Sequence, residues 1–103
     1  MQQIGKDTEK QLSQQSTRVA LIGIVVENPA AVPQMNDILH SYASYIIGRM
    51  GIPYEKRGVS VISVAVDAPQ QVISALSGKI GRLEGISTKT NTSAIRILDK
   101  IKN

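Results

Sequence analysis

The sequence contains no cysteine, tryptophan or phenylalanine, and tyrosine is its only aromatic residue. The lack of cysteine excludes disulfides, thiolate catalysis and cysteine-ligated zinc or iron–sulfur sites. With aromatic residues at 3% of the chain, the core has to be built from Ile, Val, Leu, Met and Ala. An apolar content of 42% still predicts a folded domain, and 103 residues are enough for one.

Long apolar runs are also missing. No run approaches the roughly 18 residues that a membrane span needs, and residues 1–16 lack the apolar stretch of a signal peptide. We therefore expect a cytoplasmic protein without membrane contacts. The net charge of +4 permits contact with nucleic acid but does not argue for it.

The residues between 17 and 92 follow the order strand, helix, strand, strand, helix, strand. The predicted strands are residues 17–28, 45–53, 58–67 and 86–92, and the first helix covers about 31–44. This order is typical of an α+β, ferredoxin-like (βαββαβ) two-layer sandwich with an antiparallel sheet. Right-handed crossovers place the first and third strands in the centre of that sheet.

Proline, glycine and aspartate mark the ends of these elements. Asn28-Pro29 ends the first strand, and Pro33 fits the first turn of the first helix. Gly58 lies in a hairpin loop, where a positive φ is available to glycine. Asp67 is the predicted cap of the second helix, with Pro69 in its first turn. The apolar stripes of the two helices are Val32, Met35, Ile38, Leu39 and Tyr42, and Val72, Ile73, Leu76 and Ile80.

Two segments fall outside this pattern. Residues 1–16 are polar and predict a flexible N-terminal arm. Ser93 can cap a short helix in which Ala94, Leu98 and Ile101 share a face, so residues 93–103 form a short helix or tail. Because so few residues do not hold a helix unaided, this tail has to dock or fray.

The two central strands are more apolar than one helical layer can cover. Successive side chains of a strand point to opposite faces, so each strand carries two apolar sets. One set is Val19, Leu21, Val25, Val59, Val61 and Ala65, and the other is Ile22, Ile24, Val26, Ile62, Val64 and Val66. Either set fits under the helices. Soluble monomers rarely expose such a patch. We therefore predict that the set left uncovered by the helices is the interface of a homodimer or tetramer, and we assign this role to the first set. Coverage by one of the two tails is the alternative.

Residues suited to catalysis or metal binding are few. His40 is the only histidine, and no nucleophile lies in a recognisable catalytic setting. We predict no enzyme, no metal site and no cofactor. A third hypothesis for function is a cryptic enzyme in which His40 from two subunits meets at an interface. RNA binding of the kind this topology supports uses aromatic side chains on the central strands, and these strands have none. Direct nucleic-acid binding is therefore not expected.

The run Tyr45–Tyr54 (YIIGRMGIPY), followed by Lys56–Ser63 (KRGVSVIS), closely resembles the small ACT-like proteins known as iron-only hydrogenase system regulators. Three further pieces support the resemblance: Val25–Asn28, Asn36–Leu39, and Leu76–Leu83 together with Gly85-Ile86. The resemblance covers about residues 17–90. It implies an ACT-type ferredoxin-like fold and a regulatory role in bacteria.

ACT domains usually pair and bind small ligands at the interface, near the first loop and helix. On that analogy the expected ligand-binding residues are Glu27, Asn28, Gly48, Arg49 and Gly51. The related nickel-responsive regulators use His and Cys ligands. One histidine and no cysteine do not carry that metal function over to this chain.

Two hypotheses follow for function. The first is a non-catalytic, ligand-responsive regulatory module that controls a hydrogenase system, with transcription affected only through a protein partner. The second is a constitutive protein-interaction or oligomerisation module with no ligand. The expected partners are a second copy of the chain, a small molecule and a protein.

Overall fold

The computed structural model describes residues 16–93. Four strands and two helices follow one another in the predicted order, strand, helix, strand, strand, helix, strand. The strands are β1 (Arg18–Val26), β2 (Ile46–Tyr54), β3 (Val59–Ala68) and β4 (Ile86–Thr92), and the helices are α1 (Val32–Ser41) and α2 (Gln70–Gly81). The predicted arm and tail lie outside the described residues, apart from Ser16 and Ser93. Neither described helix is long and apolar enough to cross a membrane.

The four strands form one antiparallel sheet in the order β2-β3-β1-β4. The prediction that the first and third strands are central is confirmed, as is the ferredoxin-like α+β fold. β1 and β3 pair along their whole length, from Arg18 opposite Ala68 to Val26 opposite Ser60. This alignment puts the two most β-branched segments of the chain side by side, where each packs against neighbours on both edges.

Both helices lie on one face of the sheet and enclose the core. The residues of β1 and β3 with even numbers point toward the helices, and Ile22, Val64 and Val66 have no exposed surface. From the helices, Met35, Leu39, Ile73, Leu76 and Ile80 are buried against them. The two apolar stripes predicted for the helices are therefore confirmed, with Val32, Ile38, Tyr42 and Val72 packed at their margins.

Two details of the helices differ from the prediction. α1 ends at Ser41 rather than Ser44, and a separate 3-10 turn, Ala43–Tyr45, leads into β2. Asp67 does not cap α2, because β3 continues through Ala68 and Pro69 takes the N-cap position without a side-chain hydrogen bond. Asp67 instead pairs with Val19 in the sheet, and its Oδ1 is buried with no hydrogen-bond partner within residues 16–93.

Two glycines have the positive φ that side-chain-bearing residues avoid. Gly58, at φ 65°, ends the 3-10 turn Glu55–Arg57 between β2 and β3, as the sequence predicts. Gly85, at φ 78°, lies between α2 and β4. Each of these glycines therefore lies in the connection that leads into a strand, Gly58 before β3 and Gly85 before β4.

Candidate functional site

The face of the sheet opposite the helices, termed the open face, carries a continuous apolar surface. Side chains directly opposite each other in an antiparallel pair lie on the same face. The register therefore puts the odd-numbered residues of β1 and β3 on the open face. Leu21 is 50% exposed and Val61 is 45% exposed, whereas their neighbours Ile22 and Ile62 are buried.

The predicted interface residues all belong to this surface. Val19, Leu21, Val25 and Val61 are exposed, and Val59 and Ala65 are half-buried. The structure thus resolves the choice that the sequence leaves open: the helices cover the set containing Ile22 and Val64. The first set remains uncovered by residues 16–93. Its role as an oligomer interface stays a prediction.

Sequence reasoning missed the contribution of β2 to the open face. Met50, Ile52 and Tyr54 lie opposite Ser63, Val61 and Val59, so they extend the apolar surface onto a third strand. Met50 is 66% exposed and Ile52 is 59% exposed. The alternation Met50-x-Ile52-x-Tyr54 is visible in the sequence. However, the register shift between Ile46 and Gly48 inserts Ile47 and changes the face on which the alternation falls.

Two glycines leave depressions in the open face. Gly23, in the centre of β1, borders a depression of about 370 Å³ with Val25, Val61 and Lys89. Gly48 borders a second one of about 210 Å³ with Leu21, Met50 and Ala65. The surface thus has protruding apolar side chains next to shallow depressions. A second surface of complementary shape can pack against it.

The polar rim of the open face comes from β4 and from the end of β3. Ser87, Lys89 and Asn91 lie opposite Val25, Gly23 and Leu21. Asp67 lies opposite Val19 at the other margin. A charged and polar border around an apolar centre is the usual composition of a protein interface.

The five predicted ligand-binding residues do not come together within one subunit. Through β3, Gly48 is level with Leu21 and Gly51 is level with Ile24, whereas Glu27 follows the end of β1. Along the strand direction this places Glu27 about 10 Å beyond Gly51 and about 20 Å beyond Gly48. Arg49 is level with Val64 and remains with the glycines. The residues therefore form two separate groups.

Asn28 is a structural residue as well as a predicted site residue. Its Oδ1 accepts a hydrogen bond from the Ala30 backbone N–H at 3.2 Å, which caps the 3-10 turn Pro29–Ala31. The adjacent Glu27 N–H donates to the Gly85 carbonyl at 2.7 Å. The end of β1 is thus fixed in place by hydrogen bonds on both sides.

A cleft of about 240 Å³ lies beside this end of β1. Val26, Pro29 and Val32 line one side, and the β2–β3 connection supplies the other through Pro53, Tyr54, Glu55, Gly58, Val59 and Ser60. The neighbours of the Asn28 turn are therefore the hairpin residues, and not Gly48 to Gly51. Within one subunit, this cleft therefore borders the first loop and the start of α1.

His40 lies in the last turn of α1 and is exposed. Within residues 16–93, no three His, Asp or Glu side chains are grouped closely enough to hold a metal ion. The basic residues Arg49 and Lys89 lie on the two edge strands, β2 and β4. The two central strands, β3 and β1, lie between them.

The fold and the open face define a small α+β domain of the ferredoxin-like class. The sequence pattern of the TM1266-like family, described as "Iron-only hydrogenase system regulator, putative", matches residues 18–90. Since this match spans most of the chain, the protein belongs to that family.

A solved structure supports the assignment. It is described as "The structure of uncharacterized protein TM1266 from Thermotoga maritima" and is 31% identical to this chain. The superposition has a TM-score of 0.71 and covers 74% of this chain and 96% of the Thermotoga protein. No protein with a curated description matches the chain. The resemblance seen in the YIIGRMGIP segment and its neighbours is thereby confirmed at the level of the family.

Proposed function

We propose that this chain is a non-catalytic regulatory module of an iron-only hydrogenase system, and that it acts as a homo-oligomer held together through the open face. The description of its family supports the regulatory role. The observation that carries the oligomer is the exposed apolar surface across β1, β2 and β3, with Leu21, Met50 and Val61 near its centre. Burying such a side chain contributes roughly 1.5–3 kcal/mol, which favours a covered state.

A second copy is the proposed cover because the face suits self-complementary packing. In a two-fold dimer the same patch contacts itself, so protruding side chains such as Leu21 and Met50 can enter the depressions beside Gly23 and Gly48. The polar rim stays in water at the margin of such an interface. The proposed assembly is therefore a regulatory homodimer, or a tetramer built from two such dimers. Its proposed location is the cytoplasm.

A small ligand at the subunit interface is the proposed signal. One subunit holds the Glu27–Asn28 turn and the Gly48–Gly51 segment apart, so a site that uses both groups needs a partner subunit to supply one of them. The cleft beside Pro29 and Tyr54 offers an apolar wall next to this turn. A ligand that binds one assembly better than another would shift the population between them.

Control of transcription, where the regulatory role includes it, is proposed to pass through a protein partner. DNA-binding proteins of the helix-turn-helix class present two consecutive helices joined by a short turn. In residues 16–93, α1 and α2 are separated by two strands and pack on one sheet. The surfaces available to a partner are the outer sides of the helices and the rim of the sheet.

A concentration series by sedimentation equilibrium, combined with a thermal-shift screen of amino acids, nucleotides and metal ions, tests this proposal. We expect a dimer or tetramer at micromolar concentration and a rise in melting temperature with at least one ligand class. A monomer throughout that range would overturn the assembly. Oligomers that respond to none of the compounds would instead favour the alternative below.

The alternative is a constitutive interaction or oligomerisation module without a ligand. The open-face depression beside Gly23 favours it, because Val25 and Val61 line much of this space. Small-molecule sites normally include a few convergent polar groups that fix orientation. Co-purification of a partner whose affinity stays the same across the ligand screen would select this alternative.

A further inference from the structure

The open face carries two charges of opposite sign on opposite sides of its centre. Of the strand residues that the structure describes on this face, Asp67 is the only acidic one and Lys89 the only basic one. Asp67 lies on β3 opposite Val19, and Lys89 lies on β4 opposite Gly23. Lys89 is exposed, and Oδ1 of Asp67 has no hydrogen-bond partner within residues 16–93. An incompletely satisfied carboxylate and a cation therefore flank the apolar centre.

Leu21 lies midway between these two charges. On β1 it comes two residues after Val19, the partner of Asp67, and two residues before Gly23, the partner of Lys89. β3 is the neighbour of β1 on one side and β4 on the other. With strands about 4.8 Å apart and about 3.4 Å per residue along each strand, the two charged residues are about 17 Å apart, and Leu21 is at the centre of the line that joins them.

A second line, from Leu21 to Met50, crosses the line between the charges at a right angle. Met50 lies on β2, two strands from β1, and along the strand direction it is level with Gly23. By the same spacings, the angle between the two lines is about 90°. Leu21 and Met50 are both exposed. The exposed apolar side chains thus define a line that divides the two charges symmetrically.

We propose that two copies of the chain pair through their open faces about a two-fold axis that runs along the line from Leu21 to Met50. Rotation about this axis places Asp67 of each copy over Lys89 of the partner subunit, so two ion pairs form at once. The strands of the two sheets then cross at about 70°, nearer to the orthogonal class of sheet packing than to the aligned one. This inference rests on the proposed self-association and adds its orientation.

The ion pairs fix the orientation of the dimer, and the apolar centre supplies its affinity. An exposed ion pair contributes little to affinity, because each charge is already solvated before it pairs. Like charges held opposite each other are unfavourable, so the two pairs select against other orientations. Opposite charges placed evenly about an apolar line also make the face complementary to itself, which favours a second copy over an unrelated partner.

Charge reversal tests the pairing. D67K and K89D each place like charges opposite each other at two points of the homodimer. We expect each variant alone to raise the dissociation constant at least about tenfold in sedimentation velocity. Mixed in equal amounts, the two variants can form a heterodimer in which both pairs are again opposite in sign. We expect the mixture to associate with a dissociation constant within about threefold of that of the natural chain.

D37K and K79D are the matched controls. They make the same charge changes at exposed positions of α1 and α2, on the other side of the sheet. Alone or mixed, they should leave the dissociation constant unchanged. If the natural chain dimerises but D67K and K89D have no effect, or if mixing them restores nothing, the proposed orientation is wrong. A natural chain that stays monomeric would overturn the proposed self-association as well.

A cross-link at the axis tests the same orientation without a change of charge, and it does not depend on the folding of the reversal variants. Because the natural chain has no cysteine, L21C introduces a single thiol, which lies beside its own copy. V25C is the control on the same strand and face, about 13 Å along β1, and its two copies would lie more than about 20 Å apart.

The cross-linking is carried out with a short bismaleimide at a concentration at which the natural chain is dimeric. We expect L21C to give covalent dimers and V25C to give few. Equal or stronger linking of V25C would overturn the proposed axis, even where the natural chain is a dimer.

Discussion

Gly85 packs directly against Asn28 and fixes the turn that follows β1. A side chain on Gly85 would overlap the Cβ of Asn28 and lie 3.1 Å from its backbone nitrogen. The Gly85 carbonyl also accepts the Glu27 N–H at 2.7 Å. The connection between α2 and β4 therefore holds the end of β1, where the predicted ligand-binding turn begins.

This contact predicts that Gly85→Ala is costly. A left-handed backbone conformation costs a non-glycine residue roughly 1–2 kcal/mol, and the overlap with Asn28 adds to that cost. We expect a loss of at least about 2 kcal/mol in the free energy of unfolding, measured by urea denaturation.

Gly58→Ala is the matched control for that measurement. Gly58 has nearly the same φ, but a Cβ there would meet no atom within 4 Å. Its substitution should lower the free energy of unfolding only by the cost of the left-handed backbone conformation, about 1–2 kcal/mol. Equal losses for the two variants would show that the contact with Asn28 adds nothing.

The cap formed by Asn28 predicts a smaller and separable effect. Asn28→Ala removes the oxygen that accepts the Ala30 N–H, and loss of such a cap typically costs about 0.5–2 kcal/mol. Asn28→Ser keeps an acceptor at the same position and should retain most of the stability in thermal unfolding. If serine is no better than alanine, the cap is not the reason for asparagine here.

Adjacent residues of β1 should respond in opposite ways to truncation. Ile22 is fully buried under the helices, so Ile22→Ala should cost about 2–5 kcal/mol of subunit stability. Leu21 is half exposed, so Leu21→Ala should cost less than about 1 kcal/mol within the subunit. Denaturation below the concentration of self-association measures both. Similar losses would contradict the assignment of the two faces.

The proposed assembly predicts that a charge on the open face prevents association. Leu21→Asp would place a carboxylate in the centre of the interface, where an unpaired charge is expensive to bury. We expect the dissociation constant to rise at least about 100-fold, measured by sedimentation velocity.

Gln34→Asp is the control, because it adds the same charge at an exposed position of α1, away from the sheet. It should leave the dissociation constant unchanged. An assembly that tolerates Leu21→Asp would place the contact between subunits somewhere other than the open face.

Much of the fold could be predicted because local signals agree with it. The β-branched runs around Val64 and Ile22 indicate the central strands, and Asn28-Pro29 and Gly58 mark the turns where the structure has them. Asp67 was assigned wrongly, because aspartate near a helix start is usually a cap, and pairing with Val19 extends β3 past it. The role of Gly85 was not visible, because its contact with Asn28 joins residues far apart in the chain.

The sequence alone determined that both faces of the central strands are apolar, because aliphatic side chains occupy successive positions of β1 and β3. It could not determine which face the helices cover, since both sets are aliphatic and either can pack under two helices. The tertiary structure decided that, through the direction in which the crossovers bring α1 and α2 back onto the sheet. It also aligned β2 with β3 so that Met50, Ile52 and Tyr54 join Leu21 and Val61 on one surface, a register that depends on pairing across strands and on the extra residue at Ile47.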